Sequence, residues 1–273
     1  MDLFTLKNRI VIITGASGLL GQEHAEAVAT AGGIPILLDL DQKVLDNQAN
    51  DITAKYGIAA KGYSVDITDE SAVNENCTEI LRVFGKIDGL INNAANNPKV
   101  EDSIGKNFSR LEYFPAEVWQ KDLDVGLKGS FNCIKYYGFQ ISKNIAGGSI
   151  VNISSDLGLI APDQRLYRVK GLSEEQQPVK PITYSVVKTG IIGMTRYVST
   201  YWADQNVRCN TICPGGVENN QNELFLNEVK KRIPMNRMAM KNEYQGLVVF
   251  LLSQASSYIN GAVIAADGGR SVW

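Results

Sequence analysis

Short apolar runs alternate along the chain with longer stretches in which apolar residues recur at helical spacing. The pattern predicts strands at 9–14, 34–39, 59–65, 89–91, 149–153, 207–212 and 262–266. Between them it predicts helices at 19–31, 42–56, 69–84, 115–144, 181–203 and 243–253. Short, nearly continuous apolar strands separated by helices imply a parallel sheet covered on both faces. The expected fold is α/β: a doubly wound parallel sheet of about seven strands, Rossmann-like, in a single domain spanning 1–273. Two polar segments, 96–114 and 156–180, break the rhythm and read as long loops, the second an excursion placed directly before a helix. Neither an internal repeat nor an inter-domain linker is visible.

Composition narrows the function classes. The chain has 273 residues, a net charge of −2 and 44% hydrophobic residues, enough apolar content for a sizeable core. With charge nearly balanced, no basic field points to nucleic acid or an anionic membrane surface. No apolar run approaches the roughly 20 residues that span a bilayer. The opening Met1-Asp2-Leu3-Phe4-Thr5-Leu6-Lys7 lacks a signal-peptide layout, so the expected location is cytoplasmic. Cys77, Cys133, Cys209 and Cys213 form no Cys-x-x-Cys pair and read as reduced, mostly buried thiols. The single histidine, His24, sits inside a predicted helix without partners for a metal site or a Ser-His-Asp triad; no metal is expected.

The first strand runs into Thr14-Gly15-Ala16-Ser17-Gly18-Leu19-Leu20-Gly21. Glycines at 15, 18 and 21 let backbone approach a pyrophosphate and let the next helix pack closely, while that helix offers amide donors at its N-terminus. The second strand ends at Asp39, 18 residues beyond Gly21, near the position of a ribose-binding acid. A carboxylate there accepts from ribose hydroxyls and repels a 2′-phosphate. No Arg or Lys lies in the loop or immediately after Asp39, so NAD is favoured over NADP.

Tyr184 and Lys188 stand four residues apart in Thr183-Tyr184-Ser185-Val186-Val187-Lys188, hence on one face of the predicted helix. An ammonium beside a phenol favours phenolate and lowers a pKa that is ordinarily near 10. Such a phenol can exchange a proton with a substrate hydroxyl or carbonyl.

The glycine loop, Asp39, Asn92-Asn93-Ala94-Ala95, Ser154-Ser155, Tyr184-x-x-x-Lys188, Pro214-Gly215-Gly216 and Asp267-Gly268-Gly269 follow one another in that order. Together they resemble the short-chain dehydrogenase/reductase family, over essentially the whole chain. The resemblance implies Ser155 as the residue polarising the reacting oxygen, Tyr184 as acid/base and Lys188 as the nicotinamide-ribose ligand that lowers the tyrosine pKa. It implies cofactor contacts from Gly15, Ser17, Gly18, Leu19, Leu20, Gly21, Asp39, Asp66, Ile67, Asn93, Ala94, Ala95, Tyr184, Lys188, Pro214, Gly215 and Val217. It also implies a homodimer or homotetramer paired through 115–144 and 181–203, and a lid at 215–240 containing Ile-Pro-Met-Asn-Arg-Met (233–238).

Three departures separate this chain from the single-domain branch it otherwise resembles. Gly126 replaces an Asn that helps hold a water of the lysine-linked proton relay; water filling the space, a rerouted relay and a lost one are all open. The glycines are spaced as in the sugar-nucleotide-modifying branch. Tyr184 follows Ser155 by 29 residues, so the 156–180 insertion would lie over the substrate mouth. There Asp163, Gln164, Arg165, Tyr167 and Arg168 would either bind a polar or anionic substrate or form a solvated loop or subunit contact. With the Val-Trp C-terminus, this combination is similar to a subgroup found with bacterial surface-glycan and flagellin-modification pathways. The expected activity is NAD-dependent interconversion of a hydroxyl and a carbonyl on a small polar molecule, which the subgroup resemblance implies to be a sugar or sugar derivative. The alternatives are an epimerase or dehydratase with transient NAD oxidation, and a non-catalytic NAD-binding subunit.

Overall fold

A computed structural model describes residues 3–96 and 109–273. Seven parallel strands form one sheet: β1 (Ile10–Thr14), β2 (Ile34–Asp39), β3 (Lys61–Ser64), β4 (Gly89–Asn92), β5 (Gly148–Ile153), β6 (Val207–Pro214) and β7 (Val263–Ala266), in the order β3-β2-β1-β4-β5-β6-β7. The order reverses beside β1, so a crevice opens at the carboxyl ends of β1 and β4, where this class of sheet binds ligands.

Alternation along β1 shows how both faces are covered. Ile10 and Ile12 enter one core with Leu90, Ile150 and Tyr137. Val11 and Ile13 enter the other with Val28, Ile91 and Val248. Burying each such side chain contributes about 1.5–3 kcal/mol, so a strand buried on both faces is strongly specified. The helices α1 (Leu19–Thr30), α2 (Gln42–Tyr56) and α3 (Glu70–Phe84) follow the first three strands. Asp41 and Asp69 cap α2 and α3 by accepting from first-turn amides, and left-handed Gly57 and Gly85 end them.

The predicted helix 115–144 is a single rod of changing pitch. Its α segments, α4 (Ala116–Leu123), α5 (Gly129–Cys133) and α6 (Phe139–Ser142), are separated by π turns at Asp124–Lys128 and Ile134–Gly138. π turns inside helices concentrate at functional sites. The Tyr184 helix is α7 (Ile182–Tyr201), and α9 (Gln245–Leu252) covers the opposite face.

Periodicity missed α8 (Glu223–Lys230), a short helix within the lid region, in which only Val229 is fully buried. The 156–180 excursion folds into three 3-10 turns, Asp156–Gly158, Gln164–Tyr167 and Glu174–Gln176. Of the 96–114 loop, residues 97–108 lie outside the described residues, and Leu111–Tyr113 forms a further 3-10 turn. Among the described residues no helix is long and apolar enough to cross a membrane.

Candidate active site

The glycine loop leaves β1 at Gly15, which turns with φ +63°. A Cβ on Gly15 would lie 2.8 Å from the Ala94 Cα, and one on Gly21 would lie 2.0 Å from the Gly15 carbonyl oxygen. Side chains at these positions would fill the cradle and push α1 off the sheet. The N-terminus of α1 carries no side-chain cap and no acid in its first turn, as suits an anion. The Asn93 side-chain amide donates to the Thr14 and Gly15 carbonyls, both at 3.0 Å. The Asn93 and Ala94 N–H groups donate to Thr14 Oγ1 at 3.0 and 3.1 Å. Asn93 thus braces the loop, with Ala94 and Ala95 beside it.

At the end of β2, Asp39 Oδ2 accepts from the Ser17 N–H at 3.0 Å and from Ser17 Oγ at 2.5 Å. The acid is therefore joined to the phosphate-side loop, with Leu19 and Leu20 opening α1 behind it. Past β3, the exposed Asp66 accepts from both the N–H and the hydroxyl of Thr68, and the Ile67 carbonyl accepts from Asn132. Pro214 ends β6, and the Gly215 N–H donates to Ala266 at 2.9 Å. Val217 forms an isolated parallel bridge with Ala239. All these groups stand at the carboxyl edge of the sheet, and the glycine cradle fits a dinucleotide.

Ser155 lies two residues past the end of β5, while Tyr184 and Lys188 project from the first turns of α7. Ser155 and Lys188 are buried; Tyr184 is half-buried. Lys188 Nζ donates to the Ile153 carbonyl at 3.0 Å and lies 5.8 Å from the Tyr184 ring centre. Burial, assisted by Lys180, pushes Lys188 down to about 8 against an opposing effect of Cys213. The expected lowering of the Tyr184 pKa is not found: burial pushes the phenol up, and Asp156 adds to this while the Ser155 hydroxyl opposes it. The physical reason is desolvation of phenolate, with the Lys188 ammonium turned toward Ile153.

Two nearby groups were not foreseen. Lys180 Nζ lies 3.8 Å from the Tyr184 ring centre, a cation–π arrangement. Its position four residues before Tyr184 was a weak signal, interrupted by Pro181. Asp122, buried on α4, accepts from Asn96 Nδ2 at 2.6 Å and from the Thr183 hydroxyl. Asn96, Asp122, Tyr184, Val187 and Lys188 line a cavity of about 10 Å³, room for about one water.

Gly126 explains its own departure. A Cβ there would lie 2.3 Å from Val187 Cγ1, so the space of the missing Asn side chain is filled by Val187 rather than by water. Gly126→Asn is expected to destabilise the fold by about 1–3 kcal/mol through overpacking. In the Val187→Ser background the same change should cost less, because the two residues share one volume. Urea midpoints of the two single variants and the double variant measure the coupling; strictly additive losses would contradict shared packing.

The insertion is occupied with the protein itself. Leu166 packs with Val229, Ile233 and Met238, and the Tyr167 ring lies 6.1 Å from that of Phe225. Arg165 and Arg232 both donate to Asp163, at 2.8 and 2.6 Å, and hold its carboxyl well below the usual range. Arg168 pairs with Glu174, and Gln164 accepts from the Lys180 N–H. The five insertion residues considered for substrate binding thus make contacts within the protein: Gln164, Arg165 and Arg168 inside the insertion, Tyr167 to α8 and Asp163 to Arg232 just beyond it. Beside them, Ser109, Arg110, Gln164, Lys180 and Ser185 help line a second cavity of about 330 Å³.

A family model described as enoyl-(acyl carrier protein) reductase matches residues 15–271. The chain belongs to the short-chain dehydrogenase/reductase family. It is 32% identical to a sorbose reductase of Candida albicans, over 98% of this chain and 89% of that one. It is 31% identical to an NADP-dependent mannitol dehydrogenase of Hypocrea jecorina, over 98% and 94%. Post-translational flagellin modification protein A of Campylobacter coli is 26% identical over 97% and 98%. A gluconate 5-dehydrogenase structure from Burkholderia cenocepacia, in complex with NADP and tartrate, shares the fold with a TM-score of 0.86. It covers 100% of this chain and 98% of that one at 24% identity. As a short-chain dehydrogenase/reductase, the protein is an oxidoreductase of alcohol/carbonyl substrates that uses a nicotinamide cofactor.

Proposed function

We propose that this protein is an NAD-dependent dehydrogenase or reductase acting on a sugar or sugar derivative. The observation that carries the reading is the convergence of Ser155, Tyr184 and Lys188 at the sheet edge that also holds the glycine cradle. The cofactor supplies hydride chemistry when bound. Gly15, Gly18, Gly21 and the α1 N-terminus would hold its phosphates, and Asp39 its adenosine ribose. Asp66 and Ile67 would border its adenine, and Pro214, Gly215 and Val217 its nicotinamide. Lys188 would bind the nicotinamide ribose, Ser155 would hydrogen-bond the reacting oxygen, and Tyr184 would move its proton.

The 330 Å³ cavity supports a compact substrate carrying polar groups: Arg110, Gln164 and Lys180 stand in its lining beside apolar Leu111, Val179 and Ile182. The likeness to sorbose, mannitol and flagellin-modification proteins supports sugar chemistry and a place in a bacterial surface-glycan pathway. We place the reaction in the cytoplasm, in keeping with four unpaired buried thiols. Exposed Phe131, Phe139, Tyr197 and Tyr201 on the helices after β4 and β5 support pairing of copies into a dimer or tetramer. The 215–240 segment, held to the insertion by Arg232, would act as a lid.

Absorbance at 340 nm across polyols, sugar acids and sugar nucleotides, with NAD or NADP, tests the function. A cofactor-dependent signal on one substrate class supports it; silence on every class, with cofactor binding demonstrated, counts against it. NAD preference has its own test. Asp39→Ala should weaken NADH binding by about ten-fold, one charged hydrogen-bonding contact, and narrow the gap to NADPH. Fluorescence titration reads both affinities, and an unchanged ratio would remove Asp39 from cofactor choice.

A further inference from the structure

Asp156 lies next to Ser155 and is almost wholly enclosed, at 3% exposure. Its Oδ1 accepts from Ser155 Oγ at 2.7 Å and from the Leu157 N–H at 2.8 Å. Its Oδ2 accepts from Arg270 Nη1 at 2.7 Å. The side chains of that ion pair are 10% and 4% exposed, the most enclosed salt bridge among the described residues. Arg270 reaches it from the far end of the sequence. After β7, Gly268 and Gly269 turn the chain with φ +67° and +89°. Asp267 pins the turn by accepting from the Gly269 and Ser271 N–H groups at 2.9 and 2.8 Å. A Cβ on Gly268 would lie 2.8 Å from Ile233, and one on Gly269 2.9 Å from Pro234, so the turn also seats against the lid region. The Asp267-Gly268-Gly269 run, which the cofactor reading leaves without a task, brings Arg270 to Asp156, the neighbour of Ser155.

We propose that Asp156 and Arg270 are a positioning pair: Asp156 fixes the direction of the Ser155 hydroxyl, and Arg270 balances the Asp156 charge beside Tyr184. This inference rests on the reading of Ser155 and Tyr184 given above. With its proton directed at Asp156 and one lone pair receiving the Leu157 N–H at 3.2 Å, Ser155 keeps a lone pair for the reaction space. In this orientation it accepts a hydrogen bond from a substrate hydroxyl; donating to a carbonyl oxygen or to phenolate requires the hydroxyl to rotate off Asp156. A buried carboxylate without its cation would be costly and would oppose phenolate formation nearby.

The pair makes a signed prediction about Tyr184. The other charged or titratable groups facing it are Lys180 and Lys188, with Asp122 across the small cavity. Cys213 and Tyr244 face Asp156. All stay constant in the comparison. Arg270→Met leaves the Asp156 charge unbalanced and should move the Tyr184 titration to higher pH. Asp156→Asn removes the negative charge and should move it to lower pH, by on the order of one unit. Arg270→Lys should lie close to the parent protein. The readout is NMR of the full-length protein labelled with [13Cζ]tyrosine, the Tyr184 signal being assigned by its loss in Tyr184→Phe. Because no substrate is used, the result stands apart from turnover. Opposite shifts support the pair, whereas equal midpoints in the parent, Asp156→Asn and Arg270→Lys proteins overturn it. If Arg270→Met does not fold, the downward shift in Asp156→Asn decides alone: its absence overturns the proposal.

Discussion

Tyr184→Phe is expected to lower kcat by about a hundred- to ten-thousand-fold, the usual contribution of a positioned acid/base. The affinity for NADH should change little, because the substitution removes only the phenolic oxygen and keeps the ring beneath Lys180. The pH dependence sharpens the expectation. Burial raises the Tyr184 pKa in the ligand-free protein, so the phenolate needed for alcohol oxidation is scarce at neutral pH. Oxidation should therefore accelerate as pH rises toward that pKa, while carbonyl reduction, which uses the protonated phenol, should hold its rate until the same region. A cationic nicotinamide would move the balance toward phenolate when bound. Steady-state rates and NADH titration on the parent and Tyr184→Phe proteins check the prediction; equal kcat values would remove Tyr184 from the chemistry.

Gly21→Ala has the largest expected effect on the cofactor end. The added methyl would stand 2.0 Å from the Gly15 carbonyl oxygen and 2.8 Å from the Ala16 Cα, both backbone atoms. No flexible side chain can yield, so α1 must retreat from β1 and widen the cradle. The cost should fall at the upper end of about 1–3 kcal/mol, despite alanine's better helix propensity. Nicotinamide-dinucleotide binding should fall much further than stability, because the same movement displaces the α1 amides from the phosphates. Thermal denaturation with and without NADH separates the two effects. A variant that NADH still stabilises as strongly as the parent would show that the Gly21 contact does not shape the cradle.

The fold was legible because both faces of the sheet are buried. Residues such as Ile10 to Ile13 form an unbroken apolar run, and the amphipathic stretches between strands could only be crossovers. α8 was not legible, since a short lid helix that buries only Val229 carries almost no periodic signal. The π turns were hidden for a different reason: they alter pitch without altering which residues are apolar. At the site, spacing joined Tyr184 to Lys188 because one helix carries both. It could not join Asp156 to Arg270, which 114 positions and the turn at Gly268-Gly269 separate. Nor did it reveal that Val187 occupies the volume beside Gly126, because mutual packing of two helices leaves no mark on local spacing. Charges on the insertion looked available for substrate in the sequence. In three dimensions Asp163, Arg165, Arg168 and Arg232 satisfy one another or neighbouring acids.

The central claim is net hydride transfer between a substrate carbinol carbon and a nicotinamide ring, with Tyr184 handling the proton. Its most direct test uses a substrate from the absorbance panel, deuterated at that carbon, incubated with NAD and the parent protein and followed by mass spectrometry. The account predicts deuterium in accumulating NADH, with one carbonyl product formed per label transferred. Deuterium that remains in a rearranged sugar, with no reduced cofactor accumulating, would contradict it and identify a reaction in which oxidation is only transient.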